Sequence, residues 1–421
     1  MLGMILIRIE VITDGLKLIY LLTGKMLYDF DGFINELDNK TIDFTLSVKL
    51  SIILFLLIGL FLISTICTTN LKLFNRIYEK LIALDNEFFL GLLLSIFFVF
   101  LLITTPVLIP HNPDFQKDLV LTKHLPPLTN VKFVEYKSNF PDALNKLRDE
   151  LVYRNNENRR VYFNDLELLN DELIIKQNER QLKIAVKNLI SENGLPVVKR
   201  KFFILGTDEF GRDLLSRIVV SIRISLVIGL LAILISFFIG GLIGYTSGVK
   251  GGLIDSILMR LVEFSLSIPA LFFAIFMIAF FGNSISLLVI IFGLSGWMFV
   301  ARIARNESIS LNRKEFIQVL RLLGLSEFKI VLKHIIPNSI SPILITLIYQ
   351  LSTVIIAESA LSFLGLGVQP PTPTLGNIIK SGYDYINNSI WILTFGSLTL
   401  VFLILTFNLL TEGLKKIYLN E

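Results

Sequence analysis

Residues 222–245 read IRISLVIGLLAILISFFIGGLIGY, a run whose only charge is Arg223. A helix of about 20 mainly apolar residues is long enough to cross a bilayer, because each residue adds about 1.5 Å. In lipid such a stretch must be helical, since only a helix satisfies its own backbone hydrogen bonds there. The run therefore predicts a membrane-spanning helix.

Six further stretches have the same character, and they predict six more spans at residues 48–67, 88–108, 257–281, 284–303, 340–361 and 390–410. The composition agrees, with 53% hydrophobic and 18% charged residues against about 45–50% and about 25% in soluble domains. A net charge of +4 is too small to indicate a nucleic-acid partner. We expect an all-α polytopic membrane protein in contact with a lipid bilayer.

Lysine and arginine in short connections set the orientation, because such residues are retained on the cytoplasmic side. Basic residues concentrate in the connections 68–87 and 304–339 and in the tail after residue 410, whereas residues 362–389 contain only Lys380. We predict that the basic set is cytoplasmic. Alternation then places the N-terminal extension, residues 1–47, outside; its orientation and true start remain open, and we interpret it as an amphipathic segment without a classical signal.

Residues 111–203 are highly charged, with 16 basic and 13 acidic side chains. Apolar residues in 163–176 and 180–190 follow a helical spacing, which predicts an α-rich extracytoplasmic insert. The alternative is a flexible loop without a fold.

A polar motif, residues 205–217, precedes the first quoted run. Thr207 or Asp208 is a candidate N-cap, and acid precedes base by four residues in Asp208–Arg212 and Asp213–Arg217, a favourable helical pairing. We predict a short helix at the outer surface that also includes Gly206 and Gly211. An ordinary capped interfacial helix is the alternative.

A second motif lies in the predicted cytoplasmic connection. Phe316, Val319, Leu320 and Leu323 form one helical face, Gly324 is suited to end that helix, and we expect a second short helix that stops at Pro337. An apolar helix face outside the bilayer predicts a partner groove. Two amphipathic helices resting on lipid are the alternative.

A third motif follows the 340–361 run. Gly365, Gly367, Pro370 and Pro371 exclude a regular helix, and irregular backbone at membrane depth is tolerated where it lines protein or water. We predict that these residues form the outer mouth of a pathway; a plain exit loop is the alternative.

Charged residues inside spans are costly and usually face a polar path or a partner. Arg260 and Glu263, three residues apart and able to pair, and Glu358 are candidates, with a structural pair near the headgroups as the alternative. Pro269 predicts a kink in its span.

Several motifs in order closely resemble the C-type permease subunits of dipeptide, oligopeptide and nickel ABC importers. They are Gly206-Thr-Asp, Gly211-Arg-Asp, Gly251-Gly, Ala301-Arg302, Gly324…His334…Pro337-Asn and Leu361-Ser-Phe-Leu-Gly-Leu-Gly-Val-Gln-Pro-Pro. The resemblance covers residues 204–421 as the permease domain, and residues 88–110 as the first core span.

That resemblance implies an ABC type I importer bundle of six core spans, with residues 48–67 as an extra N-terminal span. It also implies that the coupling loop, 305–339, docks on an ATPase through Phe316, Gln318, Leu320, Gly324, His334 and Pro337. The family has Glu-Ala-Ala where this chain has Gln318-Val-Leu, so one polar docking contact is lost while the helix is kept. Leu375 stands where the family usually has Trp.

The implied partners are a second, B-type permease, two ATP-binding subunits and an extracytoplasmic solute-binding protein. This chain has no Gly-x-x-x-x-Gly-Lys-Ser/Thr loop, so the partners would use ATP and magnesium. The expectation is a non-catalytic permease in the bacterial inner membrane, without cofactor or metal, that moves peptides, nickel or small solutes by alternating access. The alternatives are a receptor or sensor with a ligand-binding insert, and a membrane enzyme, which the three histidines outside the predicted spans disfavour.

Overall fold

A computed structural model describes residues 86–108, 113, 121–137, 160–169, 172–177, 180–192 and 195–420. The predicted N-terminal extension (1–47) and extra span (48–67) lie outside these residues. The described helices are α1 (Asn86–Leu108), α2 (Leu214–Lys250), α3 (Gly252–Ser267), α4 (Ala270–Phe281), α5 (Ile285–Asn312), α6 (Glu315–Leu322), α7 (Glu327–Ile330), α8 (Ile336–Phe363), α9 (Leu375–Asp384) and α10 (Ile390–Asn420).

Four described helices are long and apolar enough to cross a membrane: α2, α5, a continuous helix from Glu327 to Phe363, and α10 over Ile390–Tyr418. The pair α3 and α4, bent by 79°, forms a fifth candidate. The apolar part of α1 is shorter, Glu87–Leu102. Apolar runs therefore predicted the helical bundle correctly, although the structural helices extend further at their ends.

The kink predicted at Pro269 is confirmed as a complete break. Pro269 is the residue before α4 and has extended backbone angles. Proline has no N–H to donate to the preceding turn and restricts the residue before it to extended conformations. Ile268 is accordingly extended, and the span becomes two helices.

Successive long helices run in opposite directions, so their termini lie at two common ends of the bundle. Asn312, at the end of α5, donates from Nδ2 to the carbonyl of Gly248 near the end of α2 at 3.2 Å, and Lys416 of α10 pairs with Glu87 of α1 at 2.7 Å. We call this the basic end; it contains residues 250–252 and 312–336. The opposite end, the loop end, contains the described residues of 121–213 and residues 364–389.

Helices α2 and α5 pack closely along a glycine seam, Gly240, Gly244 and Gly248. A methyl group added at Gly244 would lie 2.7 Å from Cβ of Ala304, and one at Gly248 would lie 2.6 Å from Cβ of Ser308. Small residues at a spacing of four let helix backbones approach each other in membranes. The seam therefore joins α2 and α5 into a tightly packed pair.

The prediction of an α-rich insert is wrong, because the described part of the insert is made of β-strands. They are β1 (Thr129–Glu135), β2 (Arg160–Phe163), β3 (Asp165–Leu169), β4 (Glu172–Gln177), β5 (Arg180–Ala185), β6 (Ser191–Glu192), β7 (Leu195–Pro196) and β8 (Lys199–Phe203). Antiparallel sheets have the orders β2-β1-β8, β3-β4-β5 and β6-β7.

Alternating burial along the strands explains why the insert was wrongly predicted to be helical. Along β4, the alternating residues Leu173, Ile175 and Gln177 are buried, and Leu173 is paired with Ile184 of β5 in the antiparallel ladder. Side chains two apart lie on one face of a strand. The apolar residues thus share one sheet face, against Val134 and Phe163, whereas short apolar runs alone fit a helix and a strand equally well.

Candidate functional site

The helix α6 at the basic end carries an exposed apolar face. Phe316, Val319, Leu322 and Leu323 are 43%, 51%, 87% and 71% exposed. On the opposite side Ile317 is fully buried and packs among residues of α2, α5 and α8. Three of the four residues predicted for the apolar face are exposed, whereas Leu320 is partly buried against the core and Leu322 is exposed instead. We call α6 and its exposed side the docking helix and the docking face, after the role that the sequence predicted for them.

Gly324 ends this segment as the sequence predicted. Its φ of +81° lies in the left-handed region, and its N–H donates to the carbonyl of Arg321 at 2.9 Å. Glycine adopts this conformation without the steric cost that a side chain would impose. Gln318, which stands where the resemblance places an acid, is exposed beside Val319, and Leu320 is partly buried, so this position of the helix carries a neutral amide.

The prediction that a second short helix stops at Pro337 is wrong. Residues Val331–Ile335 form a π-helical turn between α7 and α8, and Pro337 lies in the first turn of α8. The N–H of Ile336 donates to the carbonyl of Val331, five residues earlier. A proline in a first turn is tolerated, so the helix runs on into the membrane-spanning part of α8. His334 lies in the π turn, and its carbonyl accepts a hydrogen bond from Asn338 at 2.6 Å.

Arg321 connects the docking helix to two neighbours. Its Nε donates to Oε1 of Glu327 at 2.7 Å, and a terminal nitrogen donates to Oε2 of Glu327 at 3.2 Å and to Oδ1 of Asn312 at 2.9 Å. The hydrogen bonds to Glu327 raise the pKa of Arg321 above its usual value, so the guanidinium remains charged. Sequence reasoning missed this junction, because Arg321 and Glu327 have no helical spacing across the Gly324 turn.

A second ion pair at the basic end joins α3 to α5. Asp255 accepts two hydrogen bonds from Arg305, from Nε to Oδ1 and from a terminal nitrogen to Oδ2, both at 2.6 Å. Ser247 of α2 also donates to Asp255. A bidentate arginine–carboxylate pair fixes orientation as well as distance. The two partners are 50 residues apart, and no local sequence pattern indicates the pairing.

At the loop end, residues 205–213 do not form the predicted surface helix. Asp208 accepts hydrogen bonds from the N–H groups of Phe210 and Arg212, each at 2.9 Å. Gly206 and Gly211 have φ values of +78° and +70°. An aspartate that bonds the backbone two residues on favours a turn over a helix. The helix begins later, at Leu214, with Asp213 as its cap through the N–H of Ser216 at 2.9 Å.

The pairing of Asp208 with Arg212 is nevertheless present, at 2.6 Å between Oδ2 and Nε. Arg217 approaches the same oxygen at 3.3 Å, rather than forming the predicted pair with Asp213. Thr207 donates to the carbonyl of Thr122 and accepts from the N–H of Leu125. These buried contacts attach the insert to the start of α2.

The loop predicted to form the outer mouth, residues 364–374 and here called the outer loop, is irregular as its glycines and prolines predicted. Gly365 has a φ of +80°, and the Pro370–Pro371 bond is cis. Gly367 packs on Ser362, since an added methyl group would lie 2.6 Å from its Cα. The loop borders a cavity of about 390 Å³ whose other walls include Arg212, Arg217 and residues of α9. The loop and the 205–213 turn therefore meet at one place on the loop end.

The three charged candidates in the spans have different surroundings. Arg260 and Glu263 are both exposed on α3, and the structure shows no ion pair between these two described side chains. Glu358 is fully buried in α8, where Ser225 of α2 donates to Oε2 at 3.1 Å and Ser362 donates to Oε1 at 2.7 Å. Glu358 therefore links two spans close to the outer loop.

These features together define a multi-pass helical membrane protein with an insert at one end and an exposed docking helix at the other. The family model described as the binding-protein-dependent transport system inner membrane component matches residues 240–419. The oligopeptide transport system permease protein OppC of Escherichia coli K12 is 41% identical over 210 residues, covering 50% of this chain and 70% of that protein.

A second relative is the di/tripeptide transport system permease protein DppC of Pseudomonas aeruginosa, 34% identical over 213 residues that cover 51% of this chain and 70% of that one. Among solved structures, the inward-facing MetNI methionine ABC transporter aligns with a TM-score of 0.40 at 19% identity, over 47% of this chain and 93% of that one.

The chain belongs to the family of binding-protein-dependent transport system inner membrane components, and it is a C-type permease subunit of an ABC importer. The resemblance stated from the motifs is thereby confirmed.

Proposed function

We propose that this chain forms one half of the path by which an ATP-driven importer moves peptides across the bacterial inner membrane. The observation that supports this most directly is the docking helix, whose apolar face projects from the bundle at its basic end. An amphipathic helix with an exposed apolar stripe fits a hydrophobic groove on a partner. The partner in this proposal is a separate nucleotide-binding subunit.

The basic end is cytoplasmic in this proposal. Lysines and arginines flank the docking helix at Arg313, Lys314, Lys329 and Lys333, as expected for loops retained inside the cell. The insert and outer loop then face outward, where a solute-binding protein would deliver substrate. A second, B-type permease would complete the path, and two ATP-binding subunits would use ATP and magnesium.

Peptides are the substrate class that the names of both relatives support. Alternating access would follow from closure of the nucleotide-binding subunits against the docking helix. The break between α3 and α4 provides a point at which a span can change its bend, and the outer loop lies where the path would open. Movement at one end would then change access at the other.

The test is purification of the affinity-tagged full chain from cells that express the whole transport system, followed by reconstitution. We expect P-loop-bearing subunits to co-purify, and labelled peptides of two to eight residues to enter proteoliposomes only with ATP. Deletion of residues 320–324 should abolish uptake. Failure of nucleotide-binding subunits to associate, or unchanged uptake after the deletion, would overturn the proposal.

A point variant gives a matched control for that experiment. Leu322 is 87% exposed on the docking face, so Leu322→Asp places a charge in the partner groove without disturbing the core of this chain. Leu322→Met keeps the apolar character and volume. We expect Leu322→Asp to reduce co-purification and Leu322→Met to retain it.

A further inference from the structure

Three helices meet at the guanidinium of Arg321. The residue itself belongs to the docking helix, and its two partners are Glu327 of α7 and Asn312 at the end of α5. Asn312 in turn donates to the carbonyl of Gly248 in α2 at 3.2 Å. A short polar chain thus runs from the docking helix to two membrane-spanning helices.

The end of that chain lies on the closely packed α2–α5 pair. Gly248 is the last glycine of the seam, where an added methyl group would lie 2.7 Å from the carbonyl oxygen of Arg305. Packing this close leaves α2 and α5 little freedom to slide past each other. A displacement transmitted to Asn312 would therefore move both helices.

The apolar contacts of the docking helix do not supply this connection by themselves. Ile317 is its one fully buried side chain, and apolar contacts are non-directional. Arg321, by contrast, holds fixed directions through three hydrogen bonds. Its side chain is 33% exposed, so it is at the surface of the bundle and its removal leaves the core intact.

We propose that Arg321 is a positioning residue that clamps the docking helix to the α2–α5 pair through Asn312, so that force on the docking face moves both spans together. The inference rests on the proposed function and adds to it the internal residue that transmits movement. Its loss would leave the partner bound but disconnected, because the docking face itself lies on other residues.

The same connection continues to the bent span. Arg305 of α5 holds Asp255 of α3 through two hydrogen bonds, and Ser247 of α2 also donates to Asp255. Movement of the α2–α5 pair would therefore carry the first half of the bent span with it. The clamp at Arg321 would be the first step of a path that reaches the α3–α4 break.

The experiment uses the complete reconstituted transporter with Arg321→Met, and Arg313→Met as the matched control. Arg313 is exposed at the neighbouring helix end and lies outside the chain of contacts. For Arg321→Met we expect uptake of the labelled peptide mixture to fall about 5- to 150-fold, the usual range for coupling between sites, with co-purification of nucleotide-binding subunits and ATP hydrolysis retained. Arg313→Met should match the native chain in all three measurements.

A second measurement separates a lost clamp from lost folding. Spin labels at Glu315→Cys and Lys250→Cys, in a Cys67→Ser background, report the distance between the docking helix and the end of α2. We expect a narrow distance distribution in the native and Arg313→Met transporters and a broad one in Arg321→Met. A narrow distribution with full uptake in Arg321→Met would overturn the clamp. Failure of nucleotide-binding subunits to co-purify with the native chain would instead overturn the proposed function.

Discussion

Replacement of Gly244 by alanine tests the close packing of α2 on α5. The added methyl carbon would lie 2.7 Å from Cβ of Ala304, whereas carbon atoms in good contact are about 3.5–4.0 Å apart. The two helices would have to separate by about 1 Å. Overpacking of this kind costs about 1–3 kcal/mol, against a gain of up to about 1 kcal/mol because alanine favours a helix more than glycine does.

Gly241, three residues earlier on the same helix, is a matched control. An added methyl group there meets only the ring of Tyr245, at 3.7 Å, which is an ordinary contact. The gain in helix propensity is common to both variants, so their difference in unfolding free energy isolates the packing cost of about 1–3 kcal/mol. That difference corresponds to about a 5- to 140-fold change in the unfolding equilibrium.

The assay is denaturation of the purified protein in mixed detergent micelles, with unfolding measured as the loss of the helical circular dichroism signal. We expect Gly241→Ala to be at least as stable as the native chain and Gly244→Ala to be clearly less stable. Equal stabilities for the two variants would refute the close approach at the seam.

Three further changes test other parts of the structure. Asp255→Asn should lower the free energy of unfolding by about 1–2 kcal/mol, because the ion pair with Arg305 is only partly exposed and its energy should lie between those of surface and buried ion pairs. Exchange of the two residues, with Arg at 255 and Asp at 305, should restore part of the loss in the same denaturation assay. Glu358→Gln should keep both serine contacts, with one hydroxyl donating to the amide oxygen and the other accepting from the amide N–H, and should have nearly native stability. Glu358→Leu should cost about 1–3 kcal/mol for each hydroxyl left unsatisfied, and equal stability of the two variants would contradict the buried network. Burial, and then the charge of Lys123, lower the pKa of His124 below 6.5, so His124 binds a proton less readily in the folded state than in the unfolded state. The contribution of His124 to stability should therefore be complete above about pH 6.5 and decline below it. His124→Gln should remove that decline in a pH series of thermal melts.

Much of the bundle could be predicted from the sequence, because lipid requires long apolar helices. The runs at 222–245 and 390–410 and the break at Pro269 follow from length and from proline chemistry. Most of the docking face was also predictable, since Phe316, Val319 and Leu323 have a helical spacing and Gly324 marks its end.

Other features depended on information that local patterns do not contain. The insert formed strands because its apolar residues pair across chain segments, as Leu173 does with Ile184. The turn at Asp208 formed because its carboxylate bonds nearby N–H groups in preference to capping a helix. The Asp255–Arg305 pair joins segments that are distant in the sequence. The glycine seam differs from these features, because the spacing of Gly240, Gly244 and Gly248 is itself a sequence signal of close helix packing.

The most direct test of the account is photocrosslinking from the docking face in intact cells. A photoreactive phenylalanine derivative at Leu322, which is 87% exposed, should form an adduct with a nucleotide-binding subunit. The same group at Phe238, which is 68% exposed on α2, is the control and should form no such adduct. An adduct from position 322 alone is the predicted result. Its absence, or equal adducts from both positions, would contradict the claim that the docking helix contacts the nucleotide-binding subunit.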